Sequence, residues 1–239
     1  MKHHIKGVAI GPGDPELITL KALNALKDAD IIFYPETQSK SGSRKSHSGT
    51  ILEAYKLDSE KLRPIHLPMK MIREETEEVY YKLFSQIKQL YNDYKKVCIV
   101  SEGDISFFST FSYLIPHFNK SNIPFKMIPG VPAFISAGSL GGFPLTLQAD
   151  KLVVLSQLQN TQQLNNYINN FETIVVMKLS TIKDELIDYL KKNEHSFFYA
   201  ERIGTEQEYA TTNILELEKR VIPYFSLLII NRHINSAKN

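Results

Sequence analysis

Gly11-Pro12-Gly13-Asp14-Pro15-Glu16-Leu17-Ile18-Thr19-Leu20 is the stretch whose reading decides the fold. It follows the apolar run Val8-Ala9-Ile10 and opens a segment with helical spacing. A Gly-Pro-Gly-Asp loop between strand and helix points to a ligand position at the carboxyl end of a strand. A tight turn without a ligand would ask for the same residues. Two later segments echo the loop, Gly103-Asp104 and Pro129-Gly130-Val131-Pro132.

Outward from that loop, short apolar runs alternate with helical periods. Ile5 to Ile10, Ile31 to Tyr34 (stopped by Pro35), Ile65 to Leu67, Val97 to Val100 and Phe125 to Ile128 read as strands. Glu16 to Lys27 reads as a helix with Leu17, Leu20, Leu23 and Leu26 on its inner face. Glu74 to Tyr91 is a longer one with Val79, Leu83, Ile87 and Leu90 inward, and Thr110 to Phe118 a third. Strand and helix in alternation imply α/β architecture with a mainly parallel N-terminal sheet covered on both faces.

Gly141-Gly142-Phe143-Pro144 reads as a connection. This divides the chain into an N-terminal α/β domain, 1–143, and a C-terminal one, 144–239, with a mixed sheet. Strand-like runs there are Lys151 to Leu155, Thr173 to Met177, Ser196 to Ala200 and Tyr224 to Ile230. Helical periods lie at Gln162 to Tyr167 and Ile182 to Leu190. The Ser-rich stretch Gln38 to Ser48 is the one low-complexity segment.

The 239 residues are 43% apolar, enough for an ordinary core. With 28 basic and 26 acidic residues the formal charge is +2, too small to argue for nucleic acid. The one cysteine, Cys98, sits in an apolar run and reads as a buried strand thiol. The seven histidines show no ligand spacing, so no protein metal site is expected. No apolar run approaches the roughly 20 residues that span a bilayer. A soluble, cytoplasmic protein without a membrane partner is therefore the expectation.

Ser101-Glu102-Gly103-Asp104 directly follows the buried run Val97 to Val100. Packing explains charged residues poorly at the end of a central strand, where open α/β sheets bind ligands. A carboxylate there can accept hydrogen bonds from the ribose hydroxyls or amino group of a nucleoside cofactor; a turn or helix cap would use it as well. Phe107 and Phe108 could line a cleft or pack in the core. The turn at Pro129-Gly130 leads into small residues through Ala137-Gly138, which allow close approach of a ligand or of another backbone. No GxGxxG, GxxxxGK[ST] or GxSxG occurs, which disfavours dinucleotide, P-loop and serine-hydrolase readings.

Taken in order, these blocks resemble the tetrapyrrole methylases, S-adenosylmethionine-dependent methyltransferases. Gly11 to Pro15 with Leu20-Lys21-Ala22-Leu23 is similar to the family's opening signature, and Ala29 to Tyr34 to its second strand. Gly103-Asp104 resembles its Gly-Asp-Pro loop, with Ile105 where proline is usual. Ile128 to Val131 with Gly142 to Leu145, then Met177-Lys178-Leu179, then Glu201 to Thr205, resemble the later blocks. The resemblance implies a cofactor cleft between two domains and a homodimer. It implies S-adenosylmethionine contacts from Pro12, Glu102, Gly103, Asp104, Phe107, Thr110, Ala133, Met177 and Ile203. The product would be S-adenosylhomocysteine.

Pro35 and Phe107 to Leu114 resemble the C-20 methyltransferase branch of cobalamin synthesis, acting on precorrin-2 or its cobalt complex. Any cobalt would belong to the substrate. Asp104, Glu102 and Asp14 are the candidates for proton transfer. Lys40, Arg44, Lys45 and Lys70 are candidates for the substrate's carboxylates, the Ser-rich loop closing over the tetrapyrrole or remaining a solvated loop. Another precorrin, a non-tetrapyrrole substrate, or a non-catalytic tetrapyrrole-binding module stand as alternatives.

Overall fold

A computed structural model describes residues 3–38, 44–67 and 73–234. The chain forms two compact units, Met1–Pro132 and Ala133–Asn239. The sequence places a division at 143/144. The earlier position in the structure follows from α5 (Ala133–Gly141), which packs on what comes after it. A methyl group at Gly138 would lie 2.9 Å from Leu145 Cγ, and one at Gly141 2.3 Å from the Phe143 ring.

The first unit contains β1 (Ile5–Ala9), α1 (Leu20–Asp28), β2 (Ile31–Gln38), β3 (Arg44–Lys45), α2 (His47–Glu53) and β4 (Leu62–Leu67). It continues with α3 (Arg73–Asn92), β5 (Val97–Ser101), α4 (Ile115–Lys120) and β6 (Phe125–Ile128). β1 lies between β5 and β6, β5 pairs β2, and β2 pairs β4, all parallel; only β3 runs antiparallel, against Thr37 and Gln38. Side chains alternate across the sheet as the pleat requires. Ile5, Ala9, Phe33, Val97 and Ile99 pack with Leu83, Phe84 and Ile87 of α3 and Phe118 of α4. Val8, Ile10, Ile32, Cys98 and Val100 pack on the other face with Ala22 and Leu26 of α1 and Ile51 and Leu52 of α2. Cys98 is the buried strand thiol the sequence implies; burial pushes its pKa up to about 12.

Several elements depart from the sequence reading for local reasons. α1 begins at Leu20, because Asp14 caps a separate 3-10 turn at Pro15–Leu17 and Thr19 caps α1 through the Ala22 N–H. Leu20 is consequently 79% exposed, and Ala22, Ala25 and Leu26 form the buried face. β2 runs through Pro35, since its pairing with β5 ends at Phe33 and the missing N–H of Pro35 costs that ladder nothing. Thr110 to Phe118 divides into a 3-10 turn, Thr110–Tyr113, and α4, where Pro116 occupies the first turn. The 38–48 stretch is not simply a loop: it contributes β3 and the start of α2, with Ser48 fully buried. Residues 39–43, and with them Lys40, lie outside the described residues, as does Lys70.

The second unit contains α5, β7 (Leu152–Ser156), α6 (Asn165–Ile168), β8 (Thr173–Met177), α7 (Lys183–Asn193), β9 (Phe197–Glu201), β10 (Tyr209–Thr211), α8 (Ile214–Leu217) and β11 (Ser226–Asn231). The sheet order is β10-β9-β11-β8-β7, mixed in direction, because β11 is antiparallel to both β8 and β9 while β7 is parallel to β8. Its core joins Ile174, Val176, Tyr199 and Leu228 to Leu186 and Leu190 of α7. Gln162 to Tyr167 divides into a 3-10 turn, Thr161–Leu164, and the single turn of α6. Among the described residues no helix is long and apolar enough to cross a membrane.

The ring of Phe111 fills the space over Gly7 of β1, where a methyl group would sit 2.8 Å from it. Phe111 is 1% exposed and ties the turn before α4 to the central strand. Phe111→Ala should lower stability by about 3–5 kcal/mol. Urea unfolding checks this through a lower midpoint with an unchanged slope.

Candidate functional site

At the carboxyl edge of the parallel sheet, the loops after β1, β5 and β6 meet through backbone. The Ile10 N–H donates to Ser101 O at 3.0 Å, and the Gly103 N–H donates to Gly11 O at 2.7 Å. Gly11 and Gly103 both hold left-handed φ values, +81° and +63°, which glycine adopts without steric cost. Gly130 comes closest of all: a methyl group there would lie 2.5 Å from Gly103 O and 2.7 Å from Ala9 Cβ. No larger residue fits without moving backbone, so the three glycines set how near the loops approach.

Asp104 fastens this junction. One carboxylate oxygen accepts from the Ser106 N–H at 2.8 Å and from the Ser106 hydroxyl; the other accepts from the Gly130 N–H at 2.8 Å. Burial disfavours the charged carboxylate, but the three donors outweigh it and hold the pKa of Asp104 below its ordinary value. Ser101 and Ser109 share a hydrogen bond of 2.8 Å, and Ser109 caps the following turn through the Phe111 N–H. The Thr110 hydroxyl bonds that of Tyr80, whose burial raises its pKa. Phe107 meets Phe108 edge-on at 4.6 Å; Phe108 is half exposed at a left-handed φ of +50°.

A fourth element, α2, closes on the same edge. Ser46 caps it through the Gly49 N–H at 2.8 Å and donates to Pro35 O at 2.6 Å. His47 Nε2 lies 2.9 Å from Pro12 O, which requires the proton on Nε2. The Ser48 hydroxyl donates to Glu102 Oε1 at 2.6 Å. The Tyr55 hydroxyl donates to Pro15 O at 3.0 Å, and burial together with the Asp14 charge pushes its pKa up to about 12. The sequence reading omits this helix and its bonds. A Ser-x-x-Gly cap inside a Ser-rich stretch was the only local signal for it.

Pro12, Glu102, Gly103 and Asp104 are therefore gathered at one edge, with Phe107 and Thr110 in the segment that continues from them. Asp14 caps the turn after the loop through the Glu16 N–H at 2.8 Å. Ala133, Met177 and Ile203 belong to the second unit: Ala133 opens α5, Met177 ends β8, and Ile203 is buried just after β9. Arg44 and Lys45 form β3, paired with Gln38 and Thr37. Glu102 retains Oε2 without a hydrogen-bond partner among the described residues. A carboxylate oxygen of that kind, beside the backbone of Gly11, Gly103 and Gly130, suits the hydroxyl and amino donors of a nucleoside cofactor such as S-adenosylmethionine.

Two outcomes test the junction. Gly130→Ala should destabilise the chain by about 1–3 kcal/mol through overpacking against Gly103 O, read by thermal unfolding. The depressed pKa of Asp104 stabilises the fold fully above the ordinary carboxylate value near ~3.9 and is lost as pH falls through the lower folded value. The stability gap between the wild type and Asp104→Asn should therefore be largest near neutral pH and shrink as pH falls below about 4. A constant gap would remove that role.

Residues 4–218 match the family model for tetrapyrrole (corrin/porphyrin) methylases. A precorrin-2 C(20)-methyltransferase from Sinorhizobium sp is 30% identical, with 94% of this chain and 93% of that one covered. A probable cobalt-precorrin-2 C(20)-methyltransferase from Methanocaldococcus jannaschii is 28% identical over 95% and 96% of the two chains. The uroporphyrin-III C-methyl transferase of Thermus thermophilus, solved in complex with S-adenyl homocysteine, superposes with a TM-score of 0.67 at 19% identity, covering 98% of this chain and 99% of that one; at that identity the likeness is one of fold. With 215 consecutive positions, 4 through 218, inside the family model, the chain belongs to the tetrapyrrole methylase family.

Proposed function

We propose that the chain transfers a methyl group from S-adenosylmethionine to the C-20 meso carbon of precorrin-2 or its cobalt complex, in cobalamin biosynthesis. The observation that carries this is the pair of C(20)-methyltransferases, similar at 28–30% identity across nearly the whole of this chain and of their own. The glycine-lined edge with Glu102 supports the cofactor half of the reading. Both the metal-free and the cobalt-bearing substrate are named among those relatives, so the choice between them is left to experiment.

S-adenosylmethionine, when bound, supplies an electrophilic methyl on a sulfonium sulfur. The C-20 carbon of a reduced tetrapyrrole is enamine-like and already nucleophilic. The protein's work is to hold the two in line and to keep water out; orientation of this kind supplies up to about 7–11 kcal/mol of a barrier. Pro12, Glu102, Gly103, Phe107 and Thr110 provide the cofactor contacts in the first unit. Ala133, Met177 and Ile203 are added from the second unit on the family resemblance.

Asp104 has both carboxylate oxygens engaged. Its role in this reading is to position the Gly103 and Gly130 backbone. Glu102 and Asp14 each engage one oxygen, with Ser48 and with the Glu16 N–H. They are the better placed to take the proton that must leave C-20. Lys40, Arg44, Lys45 and Lys70 are assigned to the substrate's acetate and propionate arms. A homodimer in the cytoplasm completes the reading.

The deciding experiment is anaerobic incubation with S-adenosylmethionine and, separately, precorrin-2 and its cobalt complex, read by mass spectrometry. A gain of one methyl on one of them is expected and identifies the substrate. No gain on either, with cofactor binding intact, moves the substrate elsewhere in the family. Asp104→Ala should weaken S-adenosylmethionine by about tenfold or more through loss of charge-assisted bonds to the Gly130 and Ser106 donors, measured by calorimetry. Unchanged affinity would separate the junction from the cofactor.

A further inference from the structure

The carboxyl ends of β7, β8 and β9 lie at one edge of the second sheet, because β8 and β9 are both antiparallel to β11 and β7 is parallel to β8. Each of these strands is followed by a non-glycine residue in the left-handed region: Gln157 at φ +61°, Lys178 at +57° and Arg202 at +52°. The backbone reversal turns each chain out of the sheet at that edge. The Lys178 N–H donates to Ser226 O at 3.1 Å, and the Arg202 N–H to Phe225 O at 2.9 Å. Two cations thus flank the start of β11, one on either neighbouring strand. Two inter-strand spacings put their backbones about 10 Å apart.

Neither cation has an ion pair among the described residues. Lys178 is half-buried, and among the described residues no carboxylate or hydrogen-bond acceptor meets its ammonium; it lies 5.9 Å from the centroid of the Tyr224 ring. Loss of hydration lowers its pKa, with no neighbouring charge to oppose the shift. A desolvated ammonium of this kind is normally paired. The nearby acid of the same edge, Glu201, is already committed to Arg220 at 2.6 Å. Between the two cations, Tyr224 and Phe225 expose 45% and 44% of their surfaces and meet edge-on at 5.2 Å. The edge therefore offers a half-buried ammonium and an exposed guanidinium beside an aromatic surface.

We propose that Lys178 and Arg202 form a carboxylate-binding site at this edge, built for a ligand that combines a flat apolar body with carboxylate arms. The assignment rests on the proposed function, which supplies two sources of carboxylate: the arms of the tetrapyrrole and the methionyl group of S-adenosylmethionine. Lys178 meets its carboxylate as a point charge, and Arg202 meets one as a planar fork. Both act in binding and orientation.

The test uses the full chain and two probes that need no turnover: uroporphyrin III, a stable planar tetrapyrrole polycarboxylate, followed by fluorescence, and S-adenosylmethionine, followed by calorimetry. Lys178→Met should weaken uroporphyrin by about tenfold, as expected for one charge-assisted contact, and reduce the salt dependence of binding. Arg202→Gln should act in the same direction, and Lys178→Arg should restore the affinity. S-adenosylmethionine affinity unchanged in these variants assigns the site to the substrate's arms. Weakening of S-adenosylmethionine alone assigns it to the cofactor's carboxylate. Uroporphyrin and S-adenosylmethionine bound equally by wild type and both charge-removing variants overturn the site, as does a wild type that does not bind uroporphyrin while its S-adenosylmethionine affinity is the same as the variants'. Because binding is read without methyl transfer, absence of turnover on precorrin-2 tests the reaction and leaves this result legible. Unchanged thermal midpoints of the variants exclude a folding defect as the cause.

Discussion

The hydrogen bond from the Gly130 N–H to Asp104 is the constraint on which the candidate site depends. It joins the loop after β6 to the loop after β5, and the Gly103 bond to Gly11 joins that loop to the one after β1. A carboxylate can sit there because three donors replace the water it loses. The bond in turn requires glycine at 130, since any side chain would displace Gly103 O. Electrostatics and sterics are thus coupled at one point: the charge holds the loops together, and the absent side chains let them come close enough to be held. The neighbouring Ser48 bond to Glu102 uses only one of that carboxylate's two oxygens. Rigid scaffold and available acceptor stand side by side, the division of labour expected where a sheet edge carries function.

What the sequence could show follows from the range of each signal. The parallel sheet was legible because strands buried on both faces read as continuous apolar runs, as in Val97-Cys98-Ile99-Val100. The three loops of the site were legible because glycine and proline mark backbone conformations directly. Element ends were less so. Leu20 belongs to a leucine spacing that suggests a buried face, yet it sits at the first position of α1 and is exposed, because Thr19 and not Asp14 caps that helix. Caps decide such ends, and two candidate caps five residues apart look alike in a sequence. Pro35 misled in the opposite sense: the strand tolerates it because the pairing with β5 has already ended, a fact of register that no local pattern contains.

The helix α2 was the largest omission at the site, and its cause is compositional. His47 to Glu53 has few apolar residues, and they follow a stretch whose serines suggest a loop. The serines are there for specific bonds: Ser46 to the Gly49 N–H and to Pro35 O, Ser48 to Glu102. Hydroxyls that compete with backbone in a helix interior become assets at a helix start, where N–H groups need acceptors. The same residue type therefore means disorder or order according to partners that only the fold supplies. Asp104 shows a related ambiguity. The sequence offered it as a cofactor ligand or as a turn residue, and the geometry gives it a turn on one oxygen and a second loop on the other.

The two sheets reach a comparable end by different chemistry. In the first, glycines take the left-handed conformations at the carboxyl edge, and the result is backbone approach without side chains. In the second, Gln157, Lys178 and Arg202 take them, at the carboxyl ends of β7, β8 and β9, which run in the same direction with β11 between β8 and β9. A non-glycine residue in that region carries a steric cost that glycine would avoid. Replacement by glycine would relieve the cost and delete the side chain. Lysine and arginine stand at two such ends, and among the described residues no acid pairs with either. Each unit, considered alone, thus has left-handed residues at the same topological position, the carboxyl ends of strands that run in parallel. There the sheet's hydrogen bonds run out and its side chains or bare backbone face outward.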